Sequence, residues 1–166
     1  HVTYDPKVLL EELITYIGND AYNDLRYSDL SVNITDEDIL FYWHKDDPEL
    51  AINPVHKIEF TIDKDGPKHF RYKSYHFALA KKRLSTTEAT ALANDFAKRF
   101  YDIEEPAMIN NGHDLNSSIY DPGAVECWLQ IDQDQAFIIT IDLVHGIILQ
   151  AERFLASAEL IKYYQG

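Results

Sequence analysis

Seven histidines, one cysteine and 28 acidic side chains are the residues of this chain that could do chemistry. Their spacing decides which chemistry. A zinc site is normally announced by ligands at tight helical or knuckle spacing. The sequence has no His-Glu-x-x-His, no Cys-x-x-Cys and no His-x-His. His69 and His76 fall on opposite faces of a regular strand. Asp63-Lys64-Asp65-Gly66 has the opening of a calcium loop, but such a loop ends on a glutamate and the matching position here is Ser74. There is no Gly-x-Ser-x-Gly and no phosphate-binding glycine loop. Cys127 takes an inward strand position, where a thiol acts as a small hydrophobe. The adjacent acids Asp46-Asp47 and Glu104-Glu105 point apart in an extended chain. His113 and Asp114, together in an irregular stretch, could still join a site assembled in space from distant carboxylates. No catalytic, metal or cofactor residue is assigned. Contact with a partner is assigned instead to Trp128, Glu126, His113 and Asp114. Trp128 shares a strand face with Glu126 and Gln130, a setting for a rim aromatic or for contact with a second layer.

Bulk properties narrow the partner. The formal net charge is −13, from 28 acids and 15 bases. Such a surface repels a phosphate backbone and anionic lipid, and first of all favours solubility. No nucleic-acid partner is expected. No apolar run approaches the roughly 20 residues that cross a bilayer. A single cysteine excludes an internal disulfide scaffold. The chain opens on His1, so a signal peptide or lipoprotein leader upstream is expected.

The positioning elements follow from periodicity. Asp5-Pro6 opens a helix whose apolar stripe is Leu10, Leu13, Ile14 and Ile17. Strands are expected at Leu30–Ile34, Ile39–Trp43 and Lys57–Ile62. Asp-Gly then turns the chain into a long strand from Pro67. Ser85-Thr86-Thr87-Glu88 is a capping box that starts a second helix, buried along Ala89, Leu92, Ala93, Phe96 and Phe100. Residues 102–124 read as a long irregular connection, with a short strand near Ser118–Tyr120. Strands resume at Val125–Ile131 and in a hairpin around Leu143–Gly146. A final short helix is expected from Arg153.

Two corners of this pattern match. Phe-Thr-Ile-Asp at 60–63 and Ile-Thr-Ile-Asp at 139–142 each reach a glycine within a few residues. Each lies about 55 residues after the start of its own helix, a spacing that suggests a small unit written twice rather than a solenoid. The alternative is one domain whose hairpins share turn residues. The second half, about 85–153, resembles the PepSY domain. The resemblance is carried by "LSTTEATALANDFAKRF", "ECWLQI" and "AFIITIDLVHGIILQAE", and above all by Phe137, Ile139, Ile141, Asp142, Gly146 and Ile148. The 102–124 insert departs from it, and the first half matches only in outline.

The expected fold is α+β: antiparallel strands with helices packed on one face, two tandem PepSY-like units being one form of it. The expected halves are 1–84 and 85–166. The resemblance implies a non-catalytic module of exported and cell-envelope proteins, inhibitory or binding, with a protein or peptide partner such as a peptidase. It supplies no catalytic residues. Two other readings stand beside it: a small hydrolase-like enzyme built from dispersed His and carboxylates, and a structural domain of a larger envelope protein.

Overall fold

A computed structural model describes residues 4–18, 25, 28–49, 51, 56–74, 84–101, 107–114, 123–130, 132–157 and 159–160. Helix α1 (Pro6–Ile17) leads into strands β1 (Asp29–Ile34), β2 (Asp38–Lys45), β3 (His56–Asp63) and β4 (Gly66–Ser74). Helix α2 (Thr86–Tyr101) leads into β5 (Ala107–Asp114), β6 (Ala124–Gln130), β7 (Gln135–Asp142) and β8 (Ile147–Leu155). Both helices start as their first residues dictate. The Asp5 carboxylate accepts from the backbone N–H groups of Lys7 and Val8, with Pro6 at the first helical position. The Glu88 N–H donates to Ser85 Oγ at 3.1 Å, and the Ser85 N–H donates back to Glu88 Oε1 at 3.2 Å.

The strands form one eight-stranded sheet in the order β1-β2-β3-β4-β8-β7-β6-β5, antiparallel throughout. The sheet is open, not a barrel. This corrects the expected α+β class. Among the described residues the chain is mainly strand, a single continuous antiparallel sheet carrying α1 and α2. The physical reason lies at the seam. His69, Phe70 and Arg71 of β4 pair with Glu152, Ala151 and Gln150 of β8, so two meanders share their inner edges rather than closing separately.

Alternation along the strands sends one row of side chains to the helices. Phe41, Trp43, Ile58, Phe60, Phe70, Tyr72, Cys127, Leu129, Phe137, Ile139 and Ala151 are buried there with both helices in one cluster. Tyr16 of α1 meets Phe96 and Phe100 of α2 edge-on, at 5.1 and 5.6 Å between centroids. Phe100 continues to Phe60 and Phe96 to Phe70, both at 5.6 Å. Tyr16 also donates its hydroxyl to Asp95 Oδ2 at 2.9 Å, and Arg99 pairs with Glu12 across the helices. Burial and the Asp95 carboxylate hold the Tyr16 phenol well above its usual range.

Two element expectations change. Residues 102–124 hold β5, whose backbone pairs with β6 through a register broken at two places. Its sequence, Ala-Met-Ile-Asn-Asn-Gly-His-Asp, has no period-two pattern, which is why it does not read as a strand. The strand expected near Ser118–Tyr120, and His76, lie outside the described residues. Arg153, Phe154 and Leu155 belong to β8, because each pairs across to β7; of the expected final helix Glu159 and Leu160 are helical, and residues 161–164 lie outside the described residues.

The two Thr-Ile-Asp corners fold alike. Asp63 accepts the Asp65 N–H at 2.9 Å, and Asp142 accepts the Val144 N–H at 2.9 Å. Gly66 and Gly146 then turn with positive φ, at 109° and 68°. The partners differ. Asp63 pairs with Arg153, a guanidinium that is only 8% exposed, and Asp65 lies 4.0 Å from the same group. Burial pushes the Asp63 carboxyl up, but the hydrogen bonds from Arg153 and from the Asp65 N–H pull it further down, so it sits below its usual range. A depressed carboxyl stabilises the fold above its unfolded pKa of about 3.9, and that contribution is lost as pH falls through the lower folded value. Urea midpoints should therefore fall between neutral pH and about pH 3. Arg153→Met should flatten the Asp63 share of that fall; an unchanged acid slope would remove Arg153 as its cause.

Candidate functional site

The other face of the sheet carries the residues left over from the core. Direct cross-strand partners line them up. One row runs Leu40, Thr61, His69, Glu152, Ile138, Trp128. The next runs Tyr42, Glu59, Arg71, Gln150, Thr140, Glu126, and ends at the backbone of His113. Side chains in a row stand close enough to act together. The two ends differ in chemistry. On β2–β4, Lys57 donates to Glu59 at 3.2 Å and His69 lies 3.9 Å from the same carboxylate. Tyr42 stacks on His44 at 4.9 Å, and burial, with Glu59 and Asp46 nearby, raises the Tyr42 phenol. On β6–β8 the charged groups are Glu126 and Glu152.

Beside Glu152 the face opens into a recess of about 380 Å³, lined by Trp128, Ile138, Glu152, Phe154, Leu155, Ala156 and Leu160. Trp128 meets Phe154 edge-on at 6.0 Å. Leu155 and Leu160 are 80% and 45% exposed at its rim. The β7–β8 pairing runs one residue past Leu155, the Ala156 N–H donating to Asp134 O at 2.8 Å, and Leu160 then returns to the recess wall. Its walls are apolar and aromatic with one carboxylate, the make-up of a site that takes an apolar group beside a cation. A second hollow of about 240 Å³ adjoins it through Phe154 and Leu155 and is lined by Asp63, Asp65, Lys68, Gln135 and Arg153.

The four expected contact residues divide. Trp128 and Glu126 both lie on the open face, two positions apart on β6. His113 stands opposite Glu126 and Asp114 opposite Val125, so strand pairing brings His113 to the same row and sets Asp114 off it. Phe154, Ile138 and Glu152 were missed. Ile138 and Glu152 stand in the expected hairpin strands, but only the register of β6, β7 and β8 sets them beside Trp128, and Phe154 falls in the expected final helix.

Two other arrangements could do chemistry. Ser74 Oγ lies 2.7 Å from His56 Nδ1, a nucleophile-and-base distance, but the two are 6% and 3% exposed on the helix side and neither hollow reaches them. They act as a satisfied buried polar pair. His145 Nδ1 lies 2.7 Å from Asp142 Oδ2, and the Val144 and His145 N–H groups reach Asp142 Oδ1, so the pair locks the β7–β8 turn. Cys127 is buried, and burial pushes its thiol up to about 11, away from the reactive thiolate. Among the described residues no three His, Cys, Asp or Glu side chains gather at metal-binding distance. No described helix is long and apolar enough to cross a membrane.

With this geometry in hand, comparison with known proteins returns no matching family model, no matching curated protein and no matching solved structure.

Proposed function

We propose that this chain is a non-catalytic binding module whose open sheet face takes up a protein or peptide segment outside the cytoplasm. The observation that carries it is the recess walled by Trp128, Phe154 and Ile138 with Glu152 at its side. An apolar side chain next to a lysine or arginine fits both parts: the ring walls take the apolar group, and Glu152 and the Trp128 face take the cation. The net charge of −13 draws basic segments in and keeps nucleic acid away. The PepSY-like features of 85–153 lead to the same class, with a peptidase as one partner that the module would inhibit.

The test is a titration with short extended peptides of apolar-x-Lys type and their acidic counterparts, read by calorimetry and tryptophan fluorescence. Trp43 is 3% exposed in the core, so the fluorescence change reports on Trp128. Basic peptides should bind and acidic ones should not. Trp128→Ala should weaken binding at least about tenfold, Trp128→Phe only about threefold, and Glu152→Gln should cost affinity for basic peptides alone. Equal binding by wild type and Trp128→Ala would remove the recess from the function.

A further inference from the structure

Strand β1 forms an outer edge of the sheet. Among the described residues it has one neighbour, β2, and every residue from Asp29 to Ile34 is exposed. Leu30, Val32 and Ile34 are 42%, 45% and 72% exposed, and they stand opposite Trp43, Phe41 and Ile39 on the helix-side face of the sheet. The Thr35 N–H donates to Asp38 O, which makes Thr35–Asp38 a hydrogen-bonded pair. Such pairs alternate along an antiparallel ladder. Asn33 and Ser31 therefore bond to β2, and Ile34, Val32 and Leu30 turn their N–H and C=O groups to the open edge. The three residues that expose apolar side chains are thus the three that expose backbone hydrogen-bonding groups.

We infer that β1 joins β1 of a second chain in an antiparallel, two-fold pairing centred on Val32. In that register Val32 faces Val32, and Leu30 faces Ile34 in both directions. All six apolar side chains fall on the same face, and the outward N–H and C=O groups of the three residues exchange hydrogen bonds across the seam. On the opposite face Ser31 meets Asn33, and Asp29 meets Thr35, so no like charges oppose each other. That neutrality matters in a chain of net charge −13, whose copies repel each other overall. Leu30 to Ile34 also holds no lysine, no proline and no inward charge, the devices that keep free edges apart. The product is a continuous sixteen-stranded sheet with both open faces on one side.

Sedimentation of the full chain over roughly 10–200 μM tests this, a range that covers the weak, micromolar end of protein association. Wild type should move to twice the 19.2 kDa of the chain. Val32→Pro removes a donor that faces the edge and leaves the β1–β2 ladder intact. Val32→Lys sets two cations opposite each other. Both variants should remain monomeric at the highest concentration with an unchanged far-ultraviolet spectrum. A wild type that stays monomeric, or a dimer that persists in both variants, overturns the inference. Should Val32→Pro unfold the chain, Val32→Lys alone decides.

Discussion

Phe100→Ala should destabilise the chain by about 3–5 kcal/mol, the cost of emptying a large buried aromatic site. Phe100 is 1% exposed and sits where both halves of the chain meet. It touches Tyr16 from α1, Phe60 from β3 and Phe96 from its own helix, at 5.6, 5.6 and 4.7 Å. Those rings are themselves packed, so the space collapses little and the upper part of the range is expected. In a chain of this size the melting temperature should fall by roughly 10 °C or more. The form of the transition matters as much. One core joins residues from Leu9 to Ala151. Wild type and Phe100→Ala should therefore each unfold in a single step, with fluorescence and circular dichroism coincident. Two separated transitions would show that residues 1–84 and 85–166 fold on their own.

Asp142→Ala should cost about 2–3 kcal/mol, since it strands donors in a site that water reaches poorly. Asp142 is 6% exposed. One carboxylate oxygen accepts the N–H groups of Val144 and His145, at 2.9 and 3.2 Å, and the other lies 2.7 Å from His145 Nδ1. Leu143 ties the same corner to the rest of the fold, donating to Gly123 O and accepting from Leu84 N–H. Asp142→Asn keeps the oxygen that serves the two backbone donors, so it should lose less than about 1 kcal/mol. Urea denaturation of the pair separates turn capping from the imidazole contact. Equal losses in both variants would assign the whole effect to His145.

Much of this was legible in the sequence, and its legible parts share a cause. Helix starts are local: Asp5-Pro6 and Ser85-x-x-Glu88 specify their caps within four residues, and both form. Strand alternation is also local. It sent Trp43 and Cys127 inward and left Trp128 and Glu126 on the other face. The matched corners at Asp63 and Asp142 were visible as turn chemistry.

The failures were long-range. Nothing within Arg153-Phe154-Leu155 shows that β7 will accept it as a partner, and its isolated pattern suits a helix equally well. The polar strand β5 is held by its neighbour β6, not by its own composition. Which edges meet is a property of the assembled sheet: pairing of β4 with β8 joins the two halves in one surface. The candidate site follows from that same step. The sequence by itself determined the caps, the turns and the two faces of each strand, because those depend on neighbours a few residues away. Only the tertiary structure decided that Trp128, Ile138, Glu152 and Phe154 surround one recess, because three separate strands must first fall into register.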